Sequence, residues 1–227
     1  MTLSPVSRRA GMLSLTAAVL IVLSQVMRLG GGWLLGPDWA TTPAYTLTYT
    51  LALLGMGALL LSLTAIYTRE SAALGRLGLI GYVTAFLGTL MVAGDWWFEA
   101  FAIPKIATEA PEVLHLPPSG SALAGVIATV GLYTVGWTLF GIAALRARAF
   151  PRAAGLLLLA GGLAGPLALS TPYQIPLAVA IGWIGYTLGS ESRSPRTAAT
   201  PPPPGQPRLP VRPPADPTSS SRAEVQP

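Results

Sequence analysis

The side chains in this sequence whose types and spacing could do chemistry are a few polar residues set among long apolar stretches. Asp95 and Glu99 stand four apart, so on a continuous helix both carboxylates project from one face. Gln25 and Arg28 fall at a matching depth on an earlier apolar stretch. A guanidinium can pair bidentately with a carboxylate. Such pairing offsets the cost of holding a charge in hydrocarbon, about 2.5 to 3.5 kcal/mol at mid-bilayer and less near the rim. The expectation is therefore an ion-paired cluster of Gln25, Arg28, Asp95 and Glu99, suited to ion passage or ligand capture. The competing reading leaves Asp95 and Glu99 facing water or headgroups beside Trp96 and Trp97.

Other chemistries find less support. His115 with Glu109 and Glu112 offers an imidazole and carboxylates of the kind that suit zinc or iron. That segment is broken by Pro104, Pro111, Pro117 and Pro118, and no fixed ligand spacing is present, so no metal is expected. The absence of cysteine removes disulfides, thiolate metal sites and Cys nucleophiles together. A single histidine also excludes a haem held by two. Serines and threonines are plentiful, but no base accompanies them inside the apolar stretches, and no Gly-rich phosphate loop occurs. No catalytic residue and no cofactor are expected. The net charge of +5 comes from arginines beside the apolar stretches and in the tail, not from one stripe, so membrane orientation explains it better than nucleic acid does.

The elements that must position these residues are read from hydropathy. With 52% hydrophobic and 10% charged residues, and a mean hydropathy of +0.56, the chain lies outside the usual range of soluble domains. The expected fold class is all-α, a polytopic transmembrane helix bundle of about six spans, with the lipid bilayer as its main partner. The spans fall at about 10–27, 44–67, 77–97, 121–145, 153–169 and 173–189. The fifth is short, and Pro166, Pro172 and Pro176 surround the last turn, so a broken or re-entrant hairpin is the alternative there. Arg8, Arg9, Arg69, Arg76, Arg146, Arg148, Arg152, Arg193 and Arg196 share one side, and Arg28 and Lys105 the other. By the positive-inside rule both termini are then cytoplasmic. Trp33, Trp39, Trp96, Trp97, Phe101 and Tyr173 are expected to form an aromatic belt at the outer rim. Ser7-Arg8-Arg9 faintly matches a twin-arginine leader, but no Ala-x-Ala-like site follows, so the first stretch is read as a retained span.

Small residues supply the packing signal. Gly81, Ala85 and Gly88 line one face of the third span, while Gly161 and Gly165, and Gly185 and Gly189, stand four apart in the last two. Their expected role is close packing within one bundle; a homodimer seam is the sharper alternative. A weak parallel duplication relates the second and third spans to the fourth and fifth. Residues 191–227 are rich in Pro, Ser, Thr, Ala and Arg and read as a disordered cytoplasmic tail whose arginines attract the anionic inner leaflet.

From about Ala44 to Gly189 the chain resembles small, functionally uncharacterised multi-pass proteins of high-GC bacteria. The resemblance is carried by the outer segment Trp97-Phe98-Glu99-Ala100-Phe101-Ala102-Ile103-Pro104, the helix Gly136-Trp137-Thr138-Leu139-Phe140-Gly141 and the arginine hinge Arg146 to Arg152. It implies a bacterial plasma-membrane location and no activity. Two functions follow as expectations: a noncatalytic accessory protein that serves a membrane-protein partner, or a carrier or channel for a small solute or ion built around the polar cluster. Little intramembrane charge and many small packing residues place the first ahead.

Overall fold

A computed structural model describes residues 5–167 and 173–191, and the described residues form helices and short connections without strands. The Pro-rich tail from 192 onward, and the turn at 168–172 that carries Pro172, lie outside them. The helices are α1 (Pro5–Leu35), α2 (Pro43–Phe101), α3 (Ile103–Glu109), α4 (Gly120–Ala147), α5 (Arg152–Leu163) and α6 (Ile175–Glu191). Among the described residues, three helical stretches are long and apolar enough to cross a bilayer: Ala10–Gly32, Pro43–Phe101 and Gly120–Ala147. α5 and α6 are shorter apolar helices of 12 and 17 residues, the second at the lower limit of a span.

The helix α2 counts as one element of 59 residues, yet it is folded back on itself. The Tyr45 hydroxyl donates to the Glu99 carboxylate, 54 residues away. In a straight helix those residues would stand about 80 Å apart at 1.5 Å per residue. The reversal occurs at Gly75, whose φ of 60° and ψ of −156° lie in a region open essentially to glycine alone. Below the reversal the Tyr67 and Tyr82 rings stack at 4.3 Å, and the Thr64 and Tyr82 hydroxyls are 3.2 Å apart. The two arms of α2 are thus an antiparallel pair, each about 40 Å long or more. The basic connection expected at Arg69 to Arg76 is mostly helical, because the turn needs one glycine rather than a loop. α2 starts with Thr42 as N-cap, its hydroxyl accepting from the Tyr45 N–H, and Pro43 in the first turn, where its missing N–H costs nothing.

Other boundaries also differ from the sequence reading. The Gly-rich stretch after Arg28 continues α1 to Leu35, and a 3-10 turn at Gly36–Thr41 leads into α2. Glycine lowers helix propensity by about 1 kcal/mol relative to alanine without forbidding the helix, so Gly30, Gly31 and Gly32 stay within α1. The connection before α4 contains α3 and a 3-10 turn at Pro111–His115. α4 ends in a different manner from the arm before Gly75. Arg148 adopts the left-handed conformation with φ 52°, and the Ala149 N–H reaches back to the Ala144 carbonyl at 3.2 Å. The two turns of the suspected duplication are therefore built differently.

The helices pack in a closed cyclic order: α1 against α2, α2 against α4, α4 against α5, α5 against α6, and α6 back against α1. Trp137, Phe140, Met56, Leu59, Leu63, Leu158, Leu177 and Ile181 fill the centre. Small residues let the backbones close. A Cβ on Gly81 would lie 2.6 Å from the Phe140 nitrogen, and Cβ atoms on Gly88 and Gly136 would run into the Tyr133 and Ala85 backbones. A Cβ on Gly161 would come within 2.7 Å of Leu177, one on Gly165 would run into Thr134, and one on Gly185 would lie 2.8 Å from the Gly11 carbonyl, whereas one on Gly189 would have open space. The faces of Gly161, Gly165 and Gly185 are thus occupied by helices of the same chain. Ser14 and Ser62 join α1 to the first arm of α2 at 2.5 Å, which suits polar glue between helices.

Candidate functional site

The site begins where the zipper between α2 and α4 ends. From Gly81 to Gly88 the second arm of α2 lies backbone to backbone against Tyr133 to Phe140. Beyond Gly88 the facing residues are Met91, Val92, Asp95 and Glu99 on α2 and Gly125, Thr129 and Tyr133 on α4, and a cavity of about 650 Å³ lies between them. Arg28 of α1, Tyr49 of the first arm, Trp96, Gly165 and Tyr173 complete its wall. Phe98, Ala122 and Val126 form an exposed apolar rim. Inward, the walls close at Tyr133 and at Trp137, whose indole N–H donates to the Thr89 hydroxyl at 3.0 Å.

Three of the four residues singled out by sequence, Arg28, Asp95 and Glu99, meet in this cavity. Asp95 and Glu99 share a face of α2, as their spacing requires, and Asp95 is exposed to the cavity. The expected direct ion pair is not made. Among the described residues, no contact within 4.0 Å joins Arg28 to either carboxylate, although the Arg28 charge acts on both across the cavity. The Tyr45 hydroxyl, donated to Glu99, takes the place a guanidinium was expected to fill. The site therefore holds charges of both signs, separated by space.

Gln25 stands apart from the other three. It is 1% exposed, and its amide N–H donates to the Gln174 side-chain oxygen at 3.1 Å. Gln174 in turn donates to the Tyr173 hydroxyl at 2.5 Å. This chain of polar groups runs behind the cavity and fixes Tyr173 in its wall. The Gln25 side-chain oxygen and the Tyr133 hydroxyl are buried without a hydrogen-bond partner among the described residues. Unpartnered buried groups of this kind cost about 1–3 kcal/mol.

Tyr45, Tyr49, Tyr133, Tyr173 and Gln174 were not singled out by sequence reasoning. A tyrosine in an apolar helix reads as an interfacial ring, and only tertiary packing shows where its hydroxyl goes. Rings at 4.6 Å pair Tyr45 with Tyr49, and Trp39 packs edge-on to Tyr45 at 5.0 Å. This corrects the expected belt: Trp39, Trp96 and Tyr173 are buried in and around the site, while Trp97 and Phe101 face outward. Thr138 packs against Gly162 of α5, and Thr134 against Gly165 in the 3-10 turn that follows it. His115, Glu109 and Glu112 are exposed on the connection before α4, where Glu109 meets Lys105 at 3.9 Å. Among the described residues no three His, Asp or Glu side chains converge as a metal site.

Comparison with known sequence families, curated proteins and solved structures found no match to this chain.

Proposed function

We propose that this protein is a noncatalytic, multi-pass protein of a bacterial plasma membrane that captures a small polar ligand in the cavity between α2 and α4. One observation carries this reading: Arg28, Asp95 and Glu99, each costly to hold in an apolar helix, are gathered from two helices around a common space. Charges kept only for structure are expected to neutralise one another directly, and these do not. The cavity volume lies in the range of small-molecule sites, about 300–1,000 Å³, and the wall mixes aromatic rings with a few polar groups. Among the described residues of the cavity wall no nucleophile is hydrogen-bonded to a base, so the arrangement favours binding over reaction.

Six crossings with both termini in the cytoplasm accord best with the arginine distribution and with the fold-back at Gly75. In that orientation the cavity opens outward. The packed core around Trp137, Phe140 and Leu59 blocks a direct route to the other side, which favours capture, or service to a partner subunit, over a permanently open pore.

Gly125 provides the test. It lines the cavity, and a Cβ there meets nothing within 4 Å. In detergent, charged and zwitterionic solutes are expected to raise the melting temperature of the native protein and not of Gly125→Phe, which fills the cavity. If no solute separates the two proteins, the capture reading is wrong.

A further inference from the structure

On the reading that this cavity captures a ligand, we propose that the ligand is a zwitterion bearing a primary ammonium and an oxyanion, the ammonium taken by Asp95 and Glu99 and the oxyanion by Arg28. The argument starts from the separation of charge. Asp95 and Glu99 lie on one wall and Arg28 on another, with no direct ion pair between them. A purely cationic ligand would leave the guanidinium without a directly hydrogen-bonded partner, and a purely anionic one would leave the Asp95 carboxylate without one. A ligand with both signs satisfies both walls at once, and the cavity of about 650 Å³ holds a small organic molecule rather than a bare ion.

Two further observations narrow the chemistry. Glu99 receives one hydrogen bond from Tyr45, so acceptor capacity remains on it and on Asp95 for N–H donors. A primary ammonium supplies three such donors, and a quaternary one none. Tyr133, 1% exposed, is part of the cavity wall, and among the described residues its buried hydroxyl has no hydrogen-bond partner; turned toward a ligand, it can donate to the oxyanion or accept from the ammonium. The exposed apolar rim of Phe98 and Val126 accommodates a hydrocarbon extension, so the zwitterion is either a free solute or the headgroup of an aminophospholipid.

Intrinsic tryptophan fluorescence, with Trp96 in the cavity wall, reads binding to the detergent-purified protein. Phosphoethanolamine or β-alanine is expected to bind at least tenfold more tightly than ethanolamine, inorganic phosphate or phosphocholine. Asp95→Asn and Arg28→Gln should each weaken the zwitterion at least tenfold, and Gly125→Phe should abolish its binding. In nanodiscs, native mass spectrometry separates the sources. Retention of phosphatidylethanolamine over phosphatidylcholine, lost in Gly125→Phe, assigns the headgroup; tight binding of the soluble probes without such retention assigns a free solute. Either result supports the proposal. The ligand panel on the native protein decides the matter even if a charge variant fails to fold. Equal affinity for ethanolamine and phosphoethanolamine, with Arg28→Gln unchanged, would overturn the zwitterion and leave ligand capture standing. If no probe or lipid distinguishes the native protein from Gly125→Phe, both fall.

Discussion

Two tyrosines of the site differ in what their hydroxyls do, and the difference predicts opposite effects of the same truncation. Tyr45 satisfies Glu99, so Tyr45→Phe removes a charge-assisted hydrogen bond and leaves the carboxylate to the cavity. Hydrogen bonds between membrane helices contribute modestly because the unfolded chain also finds partners, so the expected loss is about 0.5–1.5 kcal/mol. Among the described residues Tyr133 has no partner for its hydroxyl, and Tyr133→Phe deletes a buried unsatisfied group at almost constant volume. The unliganded protein should then melt at the same temperature or higher. Thermal unfolding of both variants in one detergent checks the pair, and a drop for Tyr133→Phe equal to that for Tyr45→Phe contradicts the assignment.

Among the helices, glycines with different surroundings make a second contrast. Gly125 and Gly136 sit on the same helix, and in both places alanine is the better helix former by about 1 kcal/mol. At Gly125 the added methyl meets open space, whereas at Gly136 it meets the Ala85 backbone. Gly125→Ala is therefore expected to be neutral or stabilising, and Gly136→Ala to cost about 1–3 kcal/mol through overpacking. Gly75→Ala isolates a different cause. A Cβ there touches nothing, so any loss comes from the backbone conformation itself, about 1–3 kcal/mol. Denaturation in mixed micelles ranks the three, and a Gly75→Ala protein as stable as the native one rejects the tight reversal.

For the whole molecule the testable statement is topology. The sequence contains no cysteine, so single cysteines can be introduced without background. In the proposed orientation Ala73→Cys, beside the reversal of α2, is shielded in intact cells from an impermeant maleimide, and Ser119→Cys, ahead of α4, is labelled. Both are surface positions. The reverse pattern would turn the cavity toward the cytoplasm, and labelling of both would break the six-crossing reading.

Much of this architecture was legible in the order of residues, for a reason particular to membranes. Where no water can satisfy the backbone, a long apolar stretch has few options other than helix. Helical character and the apolar lengths therefore follow from hydropathy alone, as does the pairing of Asp95 with Glu99 on one face. What hydropathy could not show was how the ends are turned, because a single glycine at Gly75 replaces a loop and the glycines after Arg28 stay helical. The division within the polar cluster was equally hidden. Gln25 and Arg28 are only three residues apart, yet α1 packs between α2 and α6, so Gln25 reaches Gln174 while Arg28 faces the cavity. The cavity itself exists because close packing through Gly81, Gly88 and Gly136 stops before the end of α4. Where two helices part depends on both faces at once, so tertiary structure alone decided it.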